Sequence, residues 1–315
     1  MTEPGSNAPG LTQDGDLSGR GSVAEVLRIG DRSYDIATRA LLMAVLNRTP
    51  DSFYDKGATF AFDAFLRRAD QVVAEGADIL DVGGVKAGPG PEVSLSEELD
   101  RVVPAVEALK LRFDLPISVD TWNAEVARHS YAAGASMGND ISGFADPDYL
   151  EAAASAGAAV VATHIRLAPR VADPDPRYRD LIGEVTAQLL DRAGRAEQAG
   201  IARESVVLDA GLDLGKTYPQ SLELLRRSGH LASLGYPLLL SASNKGFLGD
   251  RLGLAIDQRR DASLAAAAIG VVLGCRVLRV HDVEGTRRVR DALDAVLSAR
   301  GAWKARVDIG AGAIR

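Results

Sequence analysis

Eight short apolar runs recur along the chain, each closing on a polar residue: 41–47, 78–84, 116–121, 135–143, 159–166, 206–211, 237–243 and 277–283. All but 135–143 are near-continuous in their apolar character. A strand with one wet face alternates apolar and polar residues, whereas a continuous run is a strand covered on both faces. Between the runs lie segments with helical spacing. Phe65, Ala69, Val72 and Val73 share one face, as do Leu99, Val102, Val103, Val106 and Leu109. Further helical candidates are 123–133, 148–155, 181–199, 221–234, 262–273 and 289–297. Each run and the helix after it make one strand–crossover unit. Eight alternating units predict an α/β chain folded as a single (β/α)₈ TIM barrel. The rival is an open doubly wound sheet, which nothing favours, since no G-x-G-x-x-G follows the first run.

The flanks complete the domain plan. Residues 1–22 hold five glycines and two prolines with no apolar stretch, which predicts a disordered, flexible tail. Residues 23–39, with Val23, Val26 and Ile29 before Gly30-Asp31, read as an N-terminal hairpin plugging the barrel floor. The barrel spans 23–300, and 301–315 is a C-terminal extension. The net charge of −7 lacks the basic footprint of a nucleic-acid or anionic-membrane binder. No apolar stretch is long enough to span a bilayer. Four His and one Cys exclude a disulfide framework and a cysteine-rich zinc module. Cys275, at the edge of an apolar run, reads as a buried structural thiol, and a reduced, cytoplasmic protein is expected.

In this fold, active sites form where the strands end. The run ends carry Asn47; Asp81; Asp120; Asn139 and Asp140; His164 and Arg166; Asp209; Ser243, Asn244 and Lys245; and Arg279, His281 and Asp282. Asp120, Asn139 and Asp209 suit a planar heterocycle with N–H donors and a carbonyl. Arg279 and His281 flank Val280, so both point to one face. With Lys245 they read as an anion pocket after the last two strands. The plainer alternatives are an ion-pair partner on a neighbouring strand for Arg279 and a satisfied core histidine for His281. Two loops stand out. The polar segment 47–57 carries Phe53 and Tyr54, and the Gly/Pro-rich segment 83–91 predicts a mobile lid.

As a set, these residues resemble the dihydropteroate synthase family over about 41–297. The motifs are Leu46-Asn47-Arg48-Thr49-Pro50-Asp51-Ser52-Phe53, Asp81-Val82-Gly83-Gly84, Ile117-Ser118-Val119-Asp120-Thr121, Asn139-Asp140-Ile141-Ser142-Gly143, Gly215-Lys216 after Asp209, and Arg279-Val280-His281-Asp282-Val283. The resemblance implies a homodimeric barrel that joins p-aminobenzoate to 6-hydroxymethyl-7,8-dihydropterin diphosphate, releasing pyrophosphate with Mg²⁺. It implies pterin binding by Asp120, Asn139, Asp209 and Lys245. It implies diphosphate binding by Asn47, Arg279 and His281, with Asn47 also a metal ligand.

The departures are local. Where the family reads Gly-Gly-Glu-Ser-Thr-Arg-Pro-Gly, this chain reads Gly83-Gly84-Val85-Lys86-Ala87-Gly88-Pro89-Gly90. Where it reads Ser-Arg-Lys-Ser, this chain has Ser243-Asn244-Lys245-Gly246. Thr163 stands for a usual Met, and Ala210 for a usual Pro. Losing one charge-assisted contact to a forming anion costs about 2–4 kcal/mol. The sequence therefore reads as a pterin-binding, dihydropteroate synthase-like protein with little or no normal synthase activity. An active synthase and a pterin-dependent methyltransferase are the alternatives. No cobalamin-binding module accompanies the barrel.

Overall fold

A computed structural model describes residues 23–49, 62–250 and 252–310. The expected flexible tail, 1–22, and most of the aromatic-bearing segment 47–57 lie outside them. An antiparallel hairpin of β1 (Val26–Ile29) and β2 (Arg32–Asp35) precedes a closed barrel. The barrel strands are β3 (Leu41–Asn47), β4 (Ile79–Gly83), β5 (Ile117–Asp120), β6 (Met137–Asp140), β7 (Ala159–Thr163), β8 (Val206–Asp209), β9 (Leu238–Leu240) and β10 (Val277–Val280). Neighbours pair in parallel, and β10 closes onto β3 with Val277 opposite Leu41 and Arg279 opposite Met43.

The helices between them are α1 (Phe62–Glu75), α2 (Leu95–Arg112), α3 (Ala124–Ala132), α4 (Tyr149–Ser155), α5 (Leu181–Gln198), α6 (Tyr218–Arg226), α7 (Ser228–Ala232), α8 (Gly246–Asp250), α9 (Arg260–Val272) and α10 (Val283–Gly310). Their starts follow local chemistry. The Ser94 hydroxyl accepts the Glu97 N–H at the head of α2, and the Asn123 amide oxygen accepts the Glu125 N–H at α3. Thr217 and Gln220 form a reciprocal capping box on α6. The segment 221–234, read as one helix, breaks at Arg227, two residues before Gly229, a weak helix former. The strand expected over 135–143 is only Met137–Asp140. The Asp140 carboxylate accepts the N–H groups of Ser142 and Phe144 at 2.6 and 2.8 Å and turns the chain out of the sheet. At the other end, α10 runs into the 301–315 extension as far as Gly310.

Side-chain alternation divides the core in two. Leu41, Met43, Ile79, Met137, Ala159, Val161, Val207, Leu239 and Val277 fill the barrel, while Leu42, Ala44, Leu80, Val160, Leu208 and Leu278 pack outward against helices. The hairpin plugs the floor as expected, with Ile29 inward as read but Leu27 and Ile36 in place of Val26. Leu27, Ile29 and Ile36 enter the interior cluster, whereas Val26 is 45% exposed. The strand alternates, so Leu27 and Ile29 share the inward face and Val26 takes the outward one. Cys275 is buried, and burial pushes its thiol up to about 12. No helix of the described residues is long and apolar enough to cross a membrane.

Candidate functional site

The inward-facing register that fills the barrel with aliphatic side chains continues to its C-terminal end, where the same faces carry polar groups. On β10, Val277, Arg279 and His281 alternate inward while Val280 packs outward. On β4 the face reads Ile79, Asp81, Gly83; on β5 it reads Ser118, Asp120; on β6, Met137, Asn139; on β8, Val207, Asp209. Register aligns them around the mouth, with Gly83 opposite Asp120 and Asp120 opposite Asn139.

Arg279 is the hub. Its Nε donates to Asp81 Oδ2 at 2.7 Å and its second guanidinium nitrogen to Asp120 Oδ2 at 2.5 Å. Because β3 lies between β10 and β4, this side chain reaches across the mouth to two strands that do not pair with its own. The Asn139 amide also donates to Asp81 Oδ2, at 3.4 Å, and Asp81 Oδ1 is buried without a hydrogen-bond partner. One guanidinium thus serves two buried carboxylates. Burial, opposed by Arg279 and reinforced by the like charge of Asp81, pushes Asp120 up to about 7. Burial pulls on Arg279 as well, but the two carboxylates override it and hold the guanidinium above its usual range.

The other predicted groups stand around this hub. Asp209 is buried and spends Oδ1 on the Gly211 N–H at 2.8 Å. Gly211 has φ +63°, and a Cβ there would lie 1.9 Å from the His164 carbonyl oxygen, so only glycine fits. Lys245 donates to the Leu212 carbonyl at 2.6 Å, and burial lowers its ammonium's affinity for its proton. The Ser243 hydroxyl lies 3.0 Å from His281 Nδ1 and accepts the His281 N–H at 3.2 Å. Burial first, then the charge of Arg279, push His281 down to about 3. It is a neutral imidazole near pH 7 and can meet an anion only as a one-proton donor. Asn47 sits beside Asp120: its Oδ1 and the Asp120 Cβ lie 3.4 and 3.5 Å from where a Gly83 side chain would begin. All seven residues named from the sequence stand at this end of the barrel.

The altered loops have a different construction. Gly84 is required by packing, since a Cβ there would lie 2.6 Å from Val102 of α2. Beyond it, the loop expected to be mobile is tied down. The Arg170 N–H donates to the Ala87 carbonyl at 3.1 Å, and its guanidinium donates to the carbonyls of Gly90 and Pro91. After β9, Asn244 has φ +59°, a conformation Asn tolerates better than most residues. A Cβ on Gly246 would meet the Tyr218 ring at 3.1 Å. Tyr218 therefore takes space that a longer side chain at 246 would need.

Sequence reasoning missed Arg170, Tyr218 and the role of Lys216. Lys216 is buried and donates to the carbonyls of Gly211 and Leu214 at 2.8 and 3.0 Å and to His164 Nδ1 at 2.8 Å. An ammonium can only donate, which places the His164 ring proton on Nε2. Burial, despite Asp209, pushes Lys216 down to about 7, and burial with the Lys216 charge pushes His164 down to about 2. The Gly215-Lys216 pair and His164 were visible beforehand as separate features; what joins them is the fold, which brings the end of β7 against the loop of Gly211 and Leu214 that Lys216 itself closes.

No group of three or more His, Cys, Asp or Glu side chains placed to hold a metal occurs among the described residues. Asn47 brings one amide oxygen to this end of the barrel, and a donor set that sparse would suit only a Mg²⁺ that keeps most of its waters and is held chiefly by a bound ligand's own oxygens.

A family model for pterin binding enzymes matches residues 43–281. A relative from Mycobacterium leprae (strain TN), inactive dihydropteroate synthase 2, is 45% identical over 270 residues, covering 84% of this chain and 93% of its own length. The dihydropteroate synthase of Escherichia coli (strain K12) is 40% identical over 260 residues, covering 82% and 92%. Among solved structures, Yersinia pestis dihydropteroate synthase in complex with a sulfonamide drug matches with a TM-score of 0.83 at 38% identity, covering 87% of this chain and 99% of that one.

Proposed function

Because the chain belongs to the pterin binding enzyme family, we propose that its barrel mouth binds a dihydropterin, carried as its diphosphate, and that it performs the synthase condensation poorly or not at all. The observation that carries this reading is the contrast within one mouth. Asp120, Asn139, Asp209, Lys245, Asn47, Arg279 and His281 are gathered at the strand ends, while Ala87, Gly88 and Gly246 hold no side-chain donor.

Asp209 keeps its second oxygen for a ring N–H, and Asn139 keeps its amide oxygen. Lys245 would lie over the ring, and Arg279 and the neutral His281 would face the diphosphate, with Asn47 contributing its oxygen to Mg²⁺. When bound, the metal would neutralise charge on the departing pyrophosphate. The chain's own contribution is to fix the ring between rigid strand ends and to meet the leaving charge from the β10 side only. In the family pattern a hydroxyl and a guanidinium meet it from the second loop. Two such losses, at about 2–4 kcal/mol each, are enough to remove useful turnover.

The reading extends to a homodimer, as the family resemblance implies. Ile269 and Val272, one turn apart on α9, are 48% and 57% exposed and offer an apolar face for a second copy. A reduced cytoplasmic setting suits the unoxidised thiol of Cys275. Calorimetric titration with a pterin tests the reading. Asp209→Ala should weaken binding by about 1–3 kcal/mol, and unchanged affinity would remove Asp209 from the site.

A further inference from the structure

Lys216 is buried at the end of the loop that follows β8, and its ammonium turns back onto the strand end that carries Asp209. Nζ donates to the Gly211 carbonyl at 2.8 Å, and the N–H of the same glycine donates to Asp209 Oδ1 at 2.8 Å. A second arm closes the turn from β7. Nζ meets His164 Nδ1 at 2.8 Å, and the His164 N–H donates to the Asp209 carbonyl at 2.8 Å. The third proton faces the Leu214 carbonyl at 3.0 Å. Lys216 is itself fastened in place, since the Tyr178 hydroxyl donates to the carbonyl of Gly215 at 2.7 Å. The three ammonium protons thus go to acceptors around Asp209, none of which is a carboxylate.

The turn cannot hold Asp209 by its own stiffness. The His164 carbonyl lies so close to Gly211 that only glycine fits there, and glycine has the most backbone freedom of any residue. The bond from Lys216 to the Gly211 carbonyl removes that freedom. As packing alone the arrangement is costly. An ammonium in a dry site with no carboxylate in contact gives up its hydration, and an apolar side chain of similar volume fills such a space at less cost. Burial pushes Lys216 down to about 7 against the pull of Asp209 and Asp213. A methionine would fill the space but could not hold Gly211. We propose that Lys216 is a positioning residue for ring binding: through Gly211 and His164 it fixes the Asp209 carboxylate with Oδ1 engaged, so that Oδ2 is presented to a ring N–H at the barrel mouth. The proposal rests on the reading of Asp209 as a pterin ligand.

A double-mutant cycle tests it, with pterin titrated calorimetrically at pH 6, where Lys216 keeps its proton. Lys216→Met is placed in three backgrounds: the natural protein, Asp209→Ala and Asn139→Ala. It should weaken pterin about tenfold in the natural protein and in Asn139→Ala. In Asp209→Ala it should weaken pterin by less than about twofold, because the carboxylate it positions is already gone. A side chain that merely supports the mouth would weaken all three backgrounds alike. Urea denaturation confirms that each variant folds. Lys216→Gln, whose amide keeps two donors, carries the same cycle should Lys216→Met not fold, with a loss of about threefold in place of tenfold. Equal losses in the Asp209→Ala and Asn139→Ala backgrounds, or a pterin affinity indifferent to both Lys216 variants, overturn the proposal and leave the pterin reading standing. A natural protein that binds no pterin, or one whose pterin affinity ignores Asp209→Ala, removes the reading of Asp209 and the proposal with it.

Discussion

On the β10–β4–β5 side of the mouth, charged groups sit on strand ends and are bonded to one another: Arg279 to Asp81 and Asp120, and Asn139 to Asp81. On the side of the second loop and the segments after β7 and β8, charged groups sit on loops and are bonded chiefly to backbone: Arg170 to Gly90 and Pro91, and Lys216 to Gly211 and Leu214. A mutually dependent set on rigid strands tolerates little change, because removing one member strands the others in a dry site. Loop positions whose charges are satisfied by carbonyls can lose a side chain without harming the fold. The difference explains how a chain keeps a binding half while its second-substrate half drifts.

The largest expected effect comes from breaking each side in turn. Arg279→Ala leaves two buried carboxylates without their cation and should cost about 3–5 kcal/mol of stability, read by urea denaturation. Arg170→Ala frees carbonyls that water can reach and should cost no more than about 1 kcal/mol. Equal costs would erase the distinction between the two sides.

That asymmetry also governs what could be read in advance. The eight strands, their inward faces and the gathering of the seven candidate residues at one end of the barrel were legible because a parallel barrel writes both into local periodicity: Arg279 and His281 flank Val280, and each run ends on its polar residue. The links between separate segments were not. Nothing in Arg170, which lies four residues past Arg166 in the sequence but some eighty residues from the second loop, marks it as the partner of Gly90 and Pro91. The Tyr218 ring over Gly246 depends on how α6 and α8 pack, and the positive φ of Asn244 is a property of the folded turn. The hairpin's inward register, Leu27 and Ile29 rather than Val26, was hidden because apolar residues occupy both of its faces.

A second prediction sharpens the comparison from the loop side. Restoring the family residues with Ala87→Thr, Gly88→Arg, Asn244→Arg and Gly246→Ser should raise pyrophosphate release only weakly. Serine at 246 meets Tyr218, and arginine at the left-handed 244 costs about 1 kcal/mol. Adding Tyr218→Ala should raise release by about ten- to hundredfold over the natural protein. Equal gains with and without Tyr218→Ala would mean that this ring does not obstruct the site.

The smallest effect is in pH. His164 and His281 are held neutral in the fold, at about 2 and 3 against an ordinary 6.5. Below pH 6.5 the unfolded chain binds two protons that the folded chain refuses, so stability falls as pH falls. Asp120, at about 7 in the fold, is protonated there before it is in the unfolded chain and opposes this with one proton. The net loss between pH 6.5 and 5 should be on the order of 1 kcal/mol per pH unit. His164→Asn keeps an acceptor for Lys216 and should flatten that slope; an unchanged slope would show that His164 titrates normally.

The central claim, a mouth that binds pterin but does not complete the condensation, is tested most directly by single-turnover pyrophosphate release. The protein is loaded with pterin diphosphate, Mg²⁺ and saturating 4-aminobenzoate, with the Escherichia coli relative measured alongside. The account predicts a rate at least about 10²-fold below that relative, with pterin diphosphate still bound. Release at the rate of the relative would contradict it.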